Sequence, residues 1–176
     1  FRSLLGDAAE KYPFLIFGPP PNESSDSSLM HMVNLFAEHW GSERTYLIEN
    51  GNLNLTKLSE KIAAFEIHDV RSVFVLGTSF AFVHLLDALD GATMPLPKGS
   101  RVMHTGGFKG KSRTVPPEEL LSGLSAAFAI SPRRIVSEYG MTELSSQFYE
   151  HLLVHESAER GVFFEPPWAR VVPVDP

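Results

Sequence analysis

Short apolar segments alternate along the chain with longer segments in which apolar residues recur every three or four positions. The short segments end at glycine, proline, asparagine or hydroxyl residues, a combination typical of buried strands followed by loops. Five of them predict strands, in the strings PFLIF, RTYLIEN, SVFVLG, SRVMHT and RRIVSEYG. An Asn-Gly pair closes the second of these, and GVFFEPPWARVVPVD predicts one or two further strands interrupted by prolines.

The longer segments predict amphipathic helices. In the first, LMHMVNLFAEHWG, Asp26 or Ser27 is placed to cap the start, and Gly41 is placed to end the helix. Its predicted apolar face consists of Leu29, Met32, Val33, Phe36 and Trp40. Further helices are predicted in the strings LTKLSEKIAAFE, FAFVHLLDALDG, VPPEELLSGLSAAFAI and MTELSSQFYEHLLVHE.

This alternation of strand and helix predicts an α/β fold. The strands are apolar on both faces, so we expect a doubly wound, mostly parallel sheet with helices on both faces. The length of 176 residues suits a single domain over 1–176. In such sheets ligands bind outside the carboxyl ends of the strands, and this rule directs attention to the strand ends.

Composition narrows the classes of function. The net charge is −6 and no basic cluster occurs, which argues against a binder of nucleic acid. The chain has no cysteine, so it supplies neither disulfides nor thiolate metal ligands. No apolar run approaches the ~20 residues of a membrane span, and no signal-peptide pattern occurs at the start, so a cytoplasmic location is the default expectation.

Three strand ends concentrate glycine, hydroxyl and charged residues: LGTSF, HTGGFKG and SEYGMTE. In the second, Gly106 and Gly107 allow a flat ligand to approach the backbone closely, beside positive charge from Lys109. A glycine turn followed by a solvated basic loop is the alternative interpretation. The spacing matches neither the Walker phosphate loop nor the dinucleotide fingerprint.

The LGTSF segment offers a second candidate contact. Gly77 ends a strand, and Thr78 opens a helix whose free N–H groups can hold an anion or a carboxylate. The competing interpretation is a capped amphipathic helix whose phenylalanines, including Phe80, belong to the core. The histidines in HLLVH are four positions apart but lack the neighbouring glutamate of a zinc protease motif.

The EYGMTE segment carries the most specific combination. Tyr139 can present a flat face to a purine, and Gly140 permits a sharp turn. Thr142 can donate to a phosphate oxygen, and Glu143 is an oxygen ligand suited to Mg²⁺. From the residues alone, an equally valid alternative is a packing tyrosine, a helix-capping threonine and a first-turn glutamate.

The EYGMTE string resembles the Tyr-Gly-x-Thr-Glu motif of the adenylate-forming superfamily of acyl- and aryl-acid ligases. Together with HTGGFKGKSR and LGTSFAFVHLLDAL, it resembles the acyl-protein synthetase family, the long-chain-fatty-acid–luciferin-component ligases of bacterial bioluminescence and their relatives. The resemblance runs from about residue 13 to the end and is strongest over residues 102–149.

The resemblance implies that ATP and a fatty acid form an acyl-adenylate, and that the acyl group then moves to an acceptor thiol on a partner protein. It implies adenine stacking on Tyr139, an α-phosphate contact from Thr142 and Mg²⁺ bound by Glu143, with Thr142 and Glu143 catalytic. Gly106, Gly107 and Gly140 would line the nucleotide site. The expected substrate contacts are Gly77, Thr78, Phe80 and Lys109, with Phe80 and Phe82 beside the acyl chain.

The chain also departs from the family pattern. A Thr-Ser-Gly-Thr-Thr-Gly type of loop, a later Thr-Gly-Asp segment, and a C-terminal domain with a catalytic lysine are all absent from the sequence. The expectation is therefore a fragment of the large N-terminal domain of such a ligase, with weak or no turnover alone. The alternatives are a non-catalytic module that binds an acyl chain or a nucleotide, a relative of phenylacetate-type aryl acid CoA ligases, or an accidental motif match.

Overall fold

The computed structural model describes residues 11–24, 26–106, 115–141, 144 and 146–172. These residues form one large sheet and one short hairpin. The sheet strands are β1 (Tyr12–Phe17), β2 (Gly41–Tyr46), β5 (Phe74–Thr78), β6 (Arg101–Thr105), β7 (Ile135–Met141), β8 (Ser146–Glu150) and β9 (Phe163–Phe164). The hairpin pairs β3 (Ile48–Glu49) with β4 (Asn52–Leu53).

The large sheet is mostly parallel, as predicted. Its strand order is β2-β1-β5-β6-β7-β8-β9, and the first five strands in that order pair in parallel. The last two pairings, β7 with β8 and β8 with β9, are antiparallel. The chain runs from β1 outward to β2 and then crosses to β5 on the other side of β1, so the strand order reverses between β1 and β5.

Helices cover both faces of this sheet, which confirms the doubly wound prediction. The helices are α1 (Ser28–Trp40), α2 (Leu55–Ile67), α3 (Ser79–Leu89) and α4 (Pro117–Phe128). Side chains of α2, α3 and α4 pack with one face of the strands, which we call the three-helix face, and those of α1 pack with the other. None of the helices within the described ranges is long and apolar enough to cross a membrane.

Side-chain caps begin three of these helices. Ser27, rather than Asp26, caps α1, because its Oγ accepts a hydrogen bond from the Met30 N–H at 3.2 Å. Asn54 caps α2 and Thr78 caps α3 in the same way, through the N–H groups of Lys57 (2.9 Å) and Ala81 (3.0 Å).

The buried face of α1 is rotated relative to the predicted one. Met30, Val33 and Ala37 are buried, and Leu29, Met32, Phe36 and Trp40 are only partly buried. Met30 lies so close to Gly18 that a Cβ there would come within 2.6 Å of the Met30 sulfur. Met30 thus packs against the loop after β1 as well as against the sheet, a contact that periodicity alone does not reveal.

The predicted helix in MTELSSQFYEHLLVHE is wrong. Met141 ends β7, and residues 146–150 form β8, which pairs antiparallel with β7. The aromatic residues Phe148 and Tyr149 favour an extended chain, and this chain covers the edge of β7. The closing strand predicted in GVFFEPPWARVVPVD is present as β9, two residues long.

Candidate functional site

The carboxyl ends of β5, β6 and β7 lie side by side in the middle of the sheet. Thr78 is paired with Thr105, and Thr105 is paired with Glu138 on the other side. Gly106 and Tyr139 follow directly after the paired Thr105 and Glu138. We call the group Gly77, Thr78, Thr105, Gly106, Glu138, Tyr139 and Gly140 the carboxyl rim.

Several predicted site residues therefore come together: Gly77, Thr78, Gly106, Tyr139 and Gly140 all belong to the carboxyl rim. Gly107, Lys109, Thr142 and Glu143 lie outside the described residues. Their roles in contacting nucleotide, substrate and metal stay predictions.

The two glycines that end β5 and β6 differ in their surroundings. Gly106 has φ +71°, a left-handed conformation, and a Cβ there would meet no atom of the described residues within 4 Å. A Cβ at Gly77 would lie 2.8 Å from Phe17 Cβ and 3.0 Å from Phe82 Cζ. Among the described residues, Gly106 thus has space beside it for a ligand, whereas Gly77 has core side chains there.

Tyr139 presents a half-exposed ring at the rim. Tyr139 is paired with Phe148 on β8, and the centroids of the two rings are 6.3 Å apart. The ring of Phe163 on β9 lies edge-on to that of Tyr139, with a centroid distance of 6.2 Å. Tyr139 is 50% exposed. These neighbours pack against the ring from the side of β8 and β9, and the exposed part is available to a flat ligand.

Glu138 is the buried acid of the rim. Only 6% of the residue is exposed, and its Oε2 is hydrogen-bonded to the hydroxyl of Thr105. Its Oε1 lies against the α-carbon of Gly140, where an added Cβ would overlap it. Burial raises the pKa of the Glu138 carboxyl, and the hydrogen bond from Thr105 opposes that rise.

Gly140 was predicted to permit a sharp turn, and the structure assigns it a different position. It lies within β7 and is paired with Gln147 on β8. Its backbone is not in the left-handed region. The missing side chain instead leaves room for the Glu138 carboxyl.

A second polar group beside the rim is centred on His104 of β6. Its Nδ1 is 3.0 Å from Ser79 Oγ at the start of α3, and its Nε2 is 2.9 Å from Ser137 Oγ on β7. Burial lowers the pKa of His104 to about 4, an effect that Arg160 reinforces and Glu150 opposes. The imidazole is therefore neutral near pH 7, with one nitrogen donating and one accepting.

Sequence reasoning missed this group, because the three residues are 25 and 33 positions apart. One signal was present: His104 is a polar residue two positions after the apolar Val102 and on the same side of the strand. A polar side chain on a buried strand face requires polar partners.

Glu150, the last residue of β8, joins the segment after β8 to strand β7. It is 1% exposed, and its carboxylate accepts hydrogen bonds from the N–H groups of Ser137 (2.8 Å) and Gly161 (2.6 Å). Arg160 Nη1 lies 3.2 Å from the same carboxylate and also donates to the Ile135 carbonyl. These contacts satisfy a buried charge and are structural in character.

Two open depressions in the surface of the described residues lie away from the carboxyl rim. One, of about 350 Å³, is lined by Tyr12, Ser42 and Arg71 at the amino ends of the strands. The other, of about 420 Å³, is lined by His155, Glu159 and Phe164 beyond β8. Neither includes a residue of the rim.

The described residues do not by themselves make a magnesium site. They contain no cluster of three or more histidine, aspartate or glutamate side chains that can hold a metal ion. The acid of the rim, Glu138, is buried and bonded to Thr105, so its oxygens are not presented to a bound ion. A magnesium ligand at Glu143 stays a prediction.

Comparison with known proteins identifies no family. No family model matches the chain, and no curated protein matches it. Among solved structures, a mutant form of coronafacic acid ligase from Pectobacterium brasiliense is similar, with a TM-score of 0.45 and 15% sequence identity. The match covers 85% of this chain and 26% of that protein, so the chain spans about a quarter of its length.

Proposed function

We propose that the carboxyl rim binds ATP and activates a carboxylic acid as an acyl-adenylate. The observation that supports this proposal is the convergence of Thr78, Gly106 and Tyr139 at the ends of three adjacent parallel strands. A glycine with open space beside it and a half-exposed aromatic ring suit a flat purine. The hydroxyl residues and the first turn of α3 suit anionic groups.

In the proposed reaction a carboxylate oxygen of the substrate forms a bond to the α-phosphorus of ATP. The bond from that phosphorus to the bridging oxygen of the β-phosphate breaks, and pyrophosphate leaves. The protein brings two anionic reactants together and aims donors at the developing charge. Thr142 is proposed to contact the α-phosphate, and Glu143 to bind the Mg²⁺ that accompanies ATP.

The resemblance to acyl-protein synthetases supports a finer proposal. The acid is a fatty acid, and the acyl group is transferred to a thiol on a partner protein: a thioester forms, the acyl–phosphate bond breaks, and AMP and the thiol proton are released. Phe80, which is partly exposed on α3, is a candidate contact for the acyl chain. Phe82 is a weaker candidate, because it is fully buried with its ring 5.0 Å from that of Phe17.

One observation favours a second candidate, a module that binds a nucleotide or an acyl chain without catalysis. Glu138, the acidic residue among the described residues of the rim, is hydrogen-bonded to Thr105 and buried. A binding module needs the flat surface of Tyr139 and Gly106 but no magnesium ligand. The chain would in either case be part of the large N-terminal domain of a ligase-like protein.

Glu143→Gln separates the two candidates. We would measure ATP binding with and without Mg²⁺ by calorimetry, and pyrophosphate release in the presence of myristate. For an adenylate-forming site, the variant loses the magnesium-dependent part of ATP affinity and any pyrophosphate release. An ATP affinity that is equal in both proteins and insensitive to Mg²⁺ supports the binding module. Absence of ATP binding in the unmodified chain overturns both nucleotide proposals.

A further inference from the structure

His104 links two elements that flank the carboxyl rim. Its two ring nitrogens are hydrogen-bonded to hydroxyls from different elements, Ser79 on α3 and Ser137 on β7. Ser79 directly follows Thr78 of the rim, and Ser137 precedes Glu138. The imidazole therefore spans the distance between the β5–α3 turn and the strand that carries Tyr139.

Alternation along the strands places this bridge on the same side as the Tyr139 ring. Val102 and Ile135 pack on the three-helix face, so His104 and Ser137, two positions further along, point to that face as well. Tyr139 is two positions beyond Ser137, about 7 Å along the strand on that side. The bridge thus lies one pleat below the Tyr139 ring.

A different polar contact joins the same two strands on the opposite face. Met103 and Val136 pack with α1, and Thr105 and Glu138 follow them on that side, where the hydroxyl meets the carboxyl. The ends of β6 and β7 are therefore joined by polar side chains on both faces. Only the His104 bridge extends further, to the start of α3.

The shape of a neutral imidazole makes this bridge sensitive to distance. Its two nitrogens lie on opposite sides of a rigid ring, with one donor and one acceptor. The hydroxyls of Ser79 and Ser137 can both hydrogen-bond to the ring only when α3 and β7 stay at a fixed distance from each other. Ser79 is 5% exposed, so its hydroxyl is part of this bridge and is not presented to a substrate as a nucleophile.

We propose that His104 is a positioning residue that sets the gap between the first turn of α3 and Tyr139, and therefore the fit of a ligand at the carboxyl rim. The assignment of a nucleotide to that gap rests on the proposed function. The mechanical part, that the imidazole holds the two elements in place, does not depend on it.

Hydrogen exchange measured by mass spectrometry or NMR tests the mechanical part. His104→Leu removes both hydrogen bonds, whereas His104→Gln keeps a donor and an acceptor. We expect exchange of the amides in residues 78–81 and 137–141 to accelerate about tenfold or more in His104→Leu, because two hydrogen bonds of modest net strength are lost. His104→Gln is expected to restore most of the protection.

Leu58→Ala is the matched control, because Leu58 is fully buried on the three-helix face but belongs to α2, which does not contribute to the rim. It lowers stability without touching the bridge. The proposal is overturned if His104→Leu changes exchange in the same pattern as Leu58→Ala. It is also overturned if His104→Gln exchanges as fast as His104→Leu.

The ligand part is tested by the dissociation constant of MgATP. We expect about a tenfold increase in Kd in His104→Leu, restored in His104→Gln, and little change in Leu58→Ala at a temperature where all variants are folded. If the unmodified chain binds no ATP, the proposed function fails while the exchange experiment still decides the role of His104. If ATP binds equally to the unmodified chain and His104→Leu, the link to the ligand gap is overturned.

Discussion

The carboxyl group of Glu138 occupies the space in which a side chain at position 140 would lie. The two residues are on the same strand and on the same side of it, and Thr105 hydrogen-bonds the other carboxyl oxygen. Position 140 in the EYGMTE string is therefore suited to glycine, because the Glu138 carboxyl occupies the space of a side chain there. Its role as a turn residue, expected from the sequence, is not needed in this part of β7.

This relationship predicts a non-additive pair of substitutions. Gly140→Ala forces the Glu138 carboxyl to move, and we expect it to lower the free energy of unfolding by about 1–3 kcal/mol. When Glu138 is already replaced by alanine, the methyl group added at position 140 meets no carboxyl group. Gly140→Ala should then lower the free energy of unfolding by at least about 1 kcal/mol less than it does in the unmodified chain. Urea denaturation of the four proteins measures the coupling. Additive effects would show that Glu138 is not the obstacle.

Stability should depend on pH through His104. Its pKa is about 4 in the folded protein and 6.5 as the ordinary value, so the unfolded chain binds more protons between these pH values. The unfolding free energy should therefore be fully retained above pH 6.5 and fall by about 3 kcal/mol as the pH is lowered to 4. Burial is the main cause of the low pKa of His104; the charge of Glu150 opposes this lowering, and the charge of Arg160 reinforces it.

Urea midpoints at several pH values, compared between the unmodified chain and His104→Gln, check this prediction. The variant has no group that titrates at this position, so the part of the pH dependence due to His104 should disappear. Identical pH profiles for the two proteins would contradict the buried neutral imidazole.

Tyr139→Ala should affect ligand binding more than stability. An aromatic ring that stacks on a base contributes about 1–3 kcal/mol to binding, so the Kd of ATP should rise about 5- to 150-fold. Because the residue is half exposed, we expect the unfolding free energy to change by about 1 kcal/mol or less.

Leu35→Ala is a suitable control for that substitution. Leu35 is also 50% exposed but lies on α1, far along the chain from the rim. Its loss should leave the Kd of ATP unchanged. If Tyr139→Ala lowers the melting temperature strongly and leaves ATP affinity unaltered, the tyrosine is a packing residue and the proposed stacking role is wrong.

The buried carboxylate of Glu150 should be far more important for stability than the exposed ion pairs. Glu150→Ala removes the acceptor of the Ser137 and Gly161 N–H groups and leaves Arg160 with carbonyl partners but no carboxylate, and we expect a loss of about 3–5 kcal/mol. Lys61→Ala, which breaks a partly exposed pair with Glu43 at 3.0 Å, should cost less than about 1 kcal/mol. Chemical denaturation of both variants measures the difference, and equal losses would contradict it.

Local sequence signals predicted the central part of the fold correctly. The apolar runs around Phe14, Val75 and Val102 became parallel strands, and Ser27 and Thr78 capped helices. These signals work because strand burial and helix capping depend on residues close together in the chain. The prediction for the segment after Met141 was wrong, because this segment folds back and pairs with the edge of β7. The apolar spacing within a segment does not show whether it will pair with a neighbouring strand.

The sequence by itself determined that β5, β6 and β7 end in glycine and hydroxyl residues and that parallel strands bring such ends to one edge. It did not determine which side chains meet there. Only the tertiary structure decided that His104 bridges Ser79 and Ser137, that Glu138 lies over Gly140, and that Gly77 packs against Phe17. The physical reason is that strand register and helix placement are set by packing across the whole sheet. Contacts such as that between Ser79 and His104, which are 25 positions apart, form only when this packing is complete.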